Sequence, residues 1–217
     1  MEEKKQDNLV AVLSGDIVRS TELEHSIYED LLYTLHNQLS FICNSNLNNK
    51  FDITRGDSFQ ILLQDPENAA KYALLIRTAL KSRNSKFDCR ISIALGKDVS
   101  IRHSINSSTG DAFTLSGRAL DDMTSDTLKI TTLNQSFNDD FNLLTKYLDH
   151  QVSEMTERQF NITHIMLKKQ GSVTQGEIAE LLGASRESIN RTINSSKLNF
   201  VIEYSQLFSK KVKEIIL

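Results

Sequence analysis

The stretch LVAVLSGDIVRSTELE, residues 9–24, decides how the first half of the chain is read. Leu9 to Leu13 is an unbroken aliphatic run, the pattern of a strand buried on both faces. Ser14-Gly15-Asp16-Ile17 then sets a carboxylate where the strand should still be packed. A charge in that place needs a partner: a bound cation, an arginine, or the N–H groups that open a following helix. Thr21-Glu22-Leu23-Glu24 has capping-box spacing. Ile27, Leu31, Leu32, Leu35, Leu39 and Ile42 recur at helical intervals, so a helix is predicted to about Asn46.

Working outward, FDITRGDSFQILL (51–63) reads as two short strands about a Gly56-Asp57 turn. Pro66, the only proline, opens a second helix. FDCRISIALG (87–96) alternates as a strand, GDAFTLSGRALDDM (110–123) reads as helical, and LKITTL (128–133) as a further strand. This order predicts an α+β fold with a mainly antiparallel sheet covered by helices. A small all-α unit should follow. The boundaries expected are 1–134 for the first domain, 135–155 for a helical connector and 156–217 for the second domain.

Composition narrows the class. Hydrophobic content of 39% and charged content of 24% are those of a globular protein. No apolar run approaches the roughly 18 residues that span a bilayer, so no membrane partner is expected. The charged start MEEKKQD lacks the apolar stretch of a signal peptide, and Cys43 and Cys89 lack metal-site spacing. A cytoplasmic protein with reduced thiols is the expectation. Residues 153–217 hold nine Lys and Arg against seven Asp and Glu, a net of +2, which leaves −5 for residues 1–152 out of an overall −3. An acidic front with a mildly basic tail suits two modules, of which only the second would approach nucleic acid.

Two acidic signatures stand at strand ends, SGDI (14–17) and RGDSF (55–59). If those strands are neighbours, carboxylates ~4 Å apart repel by about 4 kcal/mol at an effective dielectric near 20. A divalent cation would relieve this, and oxygen ligands suit Mg²⁺ or Mn²⁺. The alternative is that Asp16 caps a helix or pairs with an arginine while Asp57 only makes a turn. Ser20, Thr21 and Arg19 beside Asp16 suit phosphate oxygens at a helix N-terminus, or ordinary capping.

The pair of signatures resembles the catalytic domain of class III nucleotide cyclases over roughly residues 8–133, which implies a ferredoxin-like, cyclase-type sheet. That resemblance implies metal ligation by Asp16 and Asp57, with the Ile17 carbonyl as a further ligand, and a nucleoside triphosphate as ligand. GDAFTLSGRA (110–119) resembles the family's Gly-x-x-Val-Asn-x-Ala-x-Arg helix. It implies a catalytic, triphosphate-contacting role for Arg118. Thr114 stands where the family has asparagine, and the base-reading positions fall on Ile53 and Ser107, so the site is expected to be degenerate. The family's sites form between two chains, which implies a homodimer.

TQGEIAELLGASRESINRTI (174–193) is a helix-turn-helix pattern. Ile178, Ala179 and Leu182 are apolar on the first helix, Gly183 supplies the turn, and Ile189 and Ile193 bury the second. Ser185, Arg186, Ser188, Asn190, Arg191 and Asn194, with Lys197, are the candidate DNA-binding residues. Arginine reads guanine, asparagine reads adenine, and Ser and Lys suit phosphates. An apolar face at Leu207, Val212, Ile215 and Ile216 is the expected dimer contact. The combination of SGDIVRST, RGDSF and SGRALD with this C-terminal unit resembles the SatD-like family of bacterial proteins. Three functions remain open: a DNA-binding transcriptional regulator with a nucleotide- and metal-sensing front domain, an active metal-dependent cyclase or phosphoryl-transfer enzyme, and a regulator whose front domain is only a dimerisation platform.

Overall fold

The aliphatic run forms the central strand of a five-stranded sheet in the computed structural model, which describes residues 4–6, 8–54, 57–97, 99–102 and 104–216. After β1 (Lys4–Gln6) come β2 (Val10–Ile17), a 3-10 turn at Ser20–Glu22 and α1 (His25–Ser45). Next are the hairpin β3 (Lys50–Thr54) and β4 (Ser58–Leu63), then α2 (Ala69–Arg83), which follows a 3-10 turn at Pro66–Asn68. They are followed by β5 (Cys89–Gly96), β6 (Val99–Ile101), α3 (Asp111–Asp121) and β7 (Leu128–Thr132). The order across the sheet is β3-β4-β2-β5-β7, antiparallel except for the β5–β7 pair. Strands β2, β3, β4 and β5 with helices α1 and α2 therefore make the split βαβ pattern of a ferredoxin-like fold, to which α3 and β7 are added. The short β1–β6 ladder lies outside this sheet and is not announced by the polar residues Lys4, Lys5 and Gln6.

Alternation along β2 sends its residues to two different layers. Ala11, Leu13 and Ile17 join the core under α1 and α2, while Val10 and Val12 pack with Ala112 and Phe113 of α3. Ser14 belongs to the second face, where its hydroxyl meets that of Ser116 at 2.9 Å. Gly15 is required between these faces. A Cβ there would lie 2.8 Å from the Arg90 carbonyl and would collide with the Phe59 ring.

The C-terminal third is α4 (Gln135–Ser153), α5 (Glu157–Lys168), α6 (Gln175–Leu181), α7 (Arg186–Ser195) and α8 (Asn199–Ile216). These helices stack on the outer side of α2 and continue its core: Phe160, Ile162, Leu198 and Phe208 share one buried cluster with Leu74 and Ile76. Cover on both sides explains why α2 is buried nearly all round. Val212 is fully buried in that cluster and Ile215 packs against it, so they do not form the expected dimer face; the Ile216 side chain lies outside the described residues. Leu207 remains exposed.

His164 of α5 is part of this seam. Its Nδ1 lies 3.1 Å from Thr78 Oγ1 of α2. Burial, helped by nearby Lys168, pulls its pKa down to about 4, against a backbone contact at Leu75 that raises it. The fold holds the neutral ring, while the unfolded chain takes up a proton below its ordinary value near 6.5. Stability from this group is therefore complete above that pH and is lost as the pH falls toward 4. Between pH 6.5 and 5 the expected loss is about 1.5 kcal/mol. Urea unfolding at both pH values should show that loss in the native chain and little of it in His164→Gln. Equal losses would remove His164 as the cause.

Candidate functional site

Strand register brings Asp16 and Asp57 to the same end of the sheet. Asp16 is opposite Ser58 on β4, and the Ile17 N–H donates to the Asp57 carbonyl at 2.8 Å. Arg55 and Gly56 of the hairpin turn lie outside the described residues. The two carboxylates have separate partners. Asp16 stands opposite Arg90 in the β2–β5 register, and Arg90 binds it as a fork, Nε to Oδ1 at 2.9 Å and Nη2 to Oδ2 at 2.5 Å. The third nitrogen, Nη1, donates to the Met123 carbonyl at 2.9 Å, so the guanidinium is held from both sides. Asp57 Oδ2 accepts from the Ser20 hydroxyl at 3.1 Å. Its charge also reaches Tyr28 of α1, whose pKa is raised by burial first and by Asp57 next.

The Asp16 side chain keeps 24% exposure, so solvent reaches it beside the arginine. As placed, the pair is not a joint ligand set. A cation shared by Asp16 and Asp57 would have to displace Arg90 from one and Ser20 from the other. Among the described residues no three His, Cys, Asp or Glu side chains gather as a metal cage. Of the alternatives the sequence left open, the arginine pair is the one present. Arg90 is the residue sequence reasoning missed. Its trace in the sequence is a lone arginine within the apolar strand CRISIALG, on the parity that shares a face with Ser92.

The predicted phosphate residues sit one turn ahead of where they were expected. Ser20 and Thr21 are in the 3-10 turn, and Arg19 precedes it with φ of 55°. Leu23 and Glu24 are extended, and α1 begins at His25 with no side-chain cap. Thr21 and Glu24 thus do not form the capping box, because Leu23 is drawn against the core and the chain straightens there. These residues are not at an α-helix N-terminus.

Thr114 and Arg118 are exposed and one turn apart on α3. Ser116 between them is buried against the sheet, its hydroxyl 2.9 Å from that of Ser14 and its carbonyl accepting from the Ser92 hydroxyl. Two residues on a helix turn by about 200°, so Thr114 and Arg118 face away from their own chain's Asp16. Ile53 packs against the core on the α1 side. Its neighbour Asp52 instead meets the loop that carries Ser107, accepting from Asn106 Nδ2 at 2.7 Å. Ile53 and Ser107 consequently do not face each other across a shared pocket.

The helix-turn-helix is assembled as its residues require. Thr174 and Glu177 close a capping box at the start of α6. Gly183 has φ of 59°, a left-handed position that glycine takes without strain. Ile178, Ala179, Ile189 and Ile193 are buried beneath the two helices. Opposite them on α7, Arg186, Asn190, Arg191 and Asn194 are exposed, with Glu187 among them. Asn190 is held by Gln175 and Asn194 at 3.0 and 2.8 Å. Two candidates have hydroxyls already engaged. Ser188 is half-buried and accepts from Arg158 at 2.7 Å, and Ser185 is exposed with its hydroxyl accepting from the Ser188 N–H as the helix cap. Lys197 is exposed in the turn to α8, with φ of 54°.

The family of bacterial regulatory proteins described as the crp family matches residues 172–194, the span of α6, the turn and α7. No curated protein matches the chain. Among solved structures, the chain is similar to the guanylyl cyclase Cya2, at 16% identity and a TM-score of 0.46, over 58% of this chain and 77% of that one. It is similar to the adenylyl cyclase CyaB from P. aeruginosa, at 18% identity and 0.45, over 63% and 81%. An adenylate/guanylate cyclase/hydrolase from Silicibacter pomeroyi gives 19% and 0.44, over 54% and 71%. No described helix is long and apolar enough to cross a membrane.

Proposed function

We propose that this protein is a DNA-binding transcriptional regulator that acts as a homodimer, with the cyclase-like domain as its dimerisation or nucleotide-sensing module. The observation that carries the reading is the α7 surface. It is a helix of helix-turn-helix geometry whose outer face offers two arginines and two asparagines, within the span that matches a family of bacterial regulators. Two copies would place two such helices on DNA and compensate for the module's small positive charge.

The front domain supports two versions of this reading. For the sensor version, Asp16, Asp57 and the Ile17 carbonyl would hold Mg²⁺ or Mn²⁺ only after Arg90 released Asp16, and such an ion would supply charge to the phosphates of a nucleoside triphosphate. The Asp16–Arg90 fork favours the other version, a platform whose charge is already neutralised within the chain. The outward face carrying Thr114 and Arg118 is consistent with a partner chain in either case. Enzymatic turnover is the least supported reading, because Ile53 offers no hydrogen bond to a base and Thr114 replaces a longer amide.

The test is binding of the purified full chain to its own upstream DNA, by mobility shift at low salt, with and without Mg²⁺ or Mn²⁺ and each nucleoside triphosphate. Binding should weaken steadily as log affinity against log salt. A nucleotide effect that disappears in Asp16→Asn would support the sensor version, and its absence the platform. Failure to bind DNA at low salt in every condition would overturn the regulator reading, and pyrophosphate release lost in Asp16→Asn would replace it with the enzyme.

A further inference from the structure

A recess of about 520 Å³ opens between the turn before α2, the end of α5 and the outer side of α8. It lies on the seam between the sheet domain and the C-terminal helices, away from the Asp16 end of the sheet and from α7. Its floor is apolar, formed by Leu167 and Ile202, both buried. Its walls carry Lys71 from α2 and Lys210 and Lys213 from α8, against Glu67 and Glu214. Glu214 is also engaged by Lys211 at 3.0 Å, and the lysines lining the recess outnumber its carboxylates three to two.

Lys71 sets the character of the site. Its side chain is half-buried, and among the described residues no carboxylate lies within ion-pair distance of its ammonium. The recorded contact is the Tyr72 ring, 4.9 Å from the nitrogen to the centroid. Burial lowers its pKa, against the more distant pull of Asp65 and Glu67. Asp65 itself is occupied, accepting from Asn49, Asn68 and Tyr72. A partly desolvated ammonium above an apolar floor is a site for a negative group attached to an apolar body. A volume in the range of roughly 300–1,000 Å³ is that of small-molecule sites.

We propose that this recess binds a small organic anion, with its phosphate or carboxylate on Lys71 and Lys210 and its apolar part over Leu167 and Ile202. The ligand touches both the sheet domain and the helices that support α6 and α7, so it occupies the place where an effector would bear on their relative packing. The inference does not depend on DNA binding, because it concerns a site that is measured without DNA.

The experiment is calorimetry and thermal unfolding of the full chain with phenyl phosphate as probe, and with inorganic phosphate as the anion alone. Phenyl phosphate should bind saturably and raise Tm, since a ligand of the native state stabilises it. Lys71→Met and Lys210→Met should each weaken binding about tenfold, the loss of one charge-assisted hydrogen bond. Lys210 is exposed, so its variant tests the site even if Lys71→Met folds poorly. Asp16→Asn should bind as the native chain does. No saturable binding at millimolar probe overturns the proposal, as does equal binding of inorganic phosphate. A response lost in Asp16→Asn but kept in both lysine variants places the anion at the strand end and overturns it as well.

Discussion

Arg77→Met is expected to lower stability by about 3–5 kcal/mol, the range for removing one partner from a buried ion pair. The Arg77 side chain has no exposure and is the largest fully buried one in the described chain. Its Nε and Nη2 donate to Asp88 at 3.1 and 3.2 Å, its Nη1 donates to Asp149 at 2.7 Å, and Nη2 also reaches Ser153. Burial opposes the charge on Asp88, and Arg77 and then Lys81 outweigh it, holding its carboxyl below the usual range. Without the arginine, Asp88 keeps Lys81 at 3.2 Å. Among the described residues Asp149 keeps only Thr127, which donates through its backbone N–H and its hydroxyl. The loss should therefore fall on Asp149 and on the attachment of α4 to α2. Urea unfolding measures the total, and hydrogen exchange should show α4 losing protection before the sheet does. Lys81→Met, whose partner retains Arg77, should cost under about 1 kcal/mol. If the two variants cost the same, Arg77 does not hold the two halves together.

That arginine also marks what could be read before the structure. In the helix KYALLIRTALK, Arg77 has the appearance of one charge turned to solvent. Only the packing of the C-terminal helices on α2, with α4 setting Asp149 and Ser153 against the guanidinium, makes it internal. The same limit applies to Asp16. The sequence gives reason to expect a partner for a carboxylate at a strand end, but choosing between a metal and Arg90 requires the β2–β5 register, which pairs positions separated by dozens of residues. Local signals fared better. The aliphatic run of β2, the Gly183 turn and the Ile189 and Ile193 spacing all depend on neighbours within a few residues, and all appear where their patterns put them. The Thr21 capping spacing is local too, yet the packing of half-buried Leu23 against the core overrides it, a tertiary contact outweighing a cap worth about 1 kcal/mol.

The second large effect is expected on DNA. Replacing both Arg186 and Arg191 with alanine should weaken binding to the chain's own upstream DNA by at least about thirtyfold, from bidentate arginine contacts of about 1–3 kcal/mol each. Arg186 is the first residue of α7, and N-terminal residues of a recognition helix reach base edges first. Arg191 lies across the helix from the buried Ile189 and Ile193, at the centre of the outer face. Both side chains are exposed, so the fold should change by no more than about 0.5 kcal/mol, and unfolding curves check this. Two further variants separate base reading from mere charge. Lys197→Ala, outside α7, should weaken all sequences alike and reduce the salt slope by about 1. Ser188→Ala removes a hydroxyl already bound to Arg158, so it should disturb the α5–α7 contact and leave sequence preference intact. The double arginine variant should instead lose preference for the upstream site over unrelated competitor DNA. If it retains that preference at native affinity, α7 does not read DNA, and its polar face has to be a protein contact.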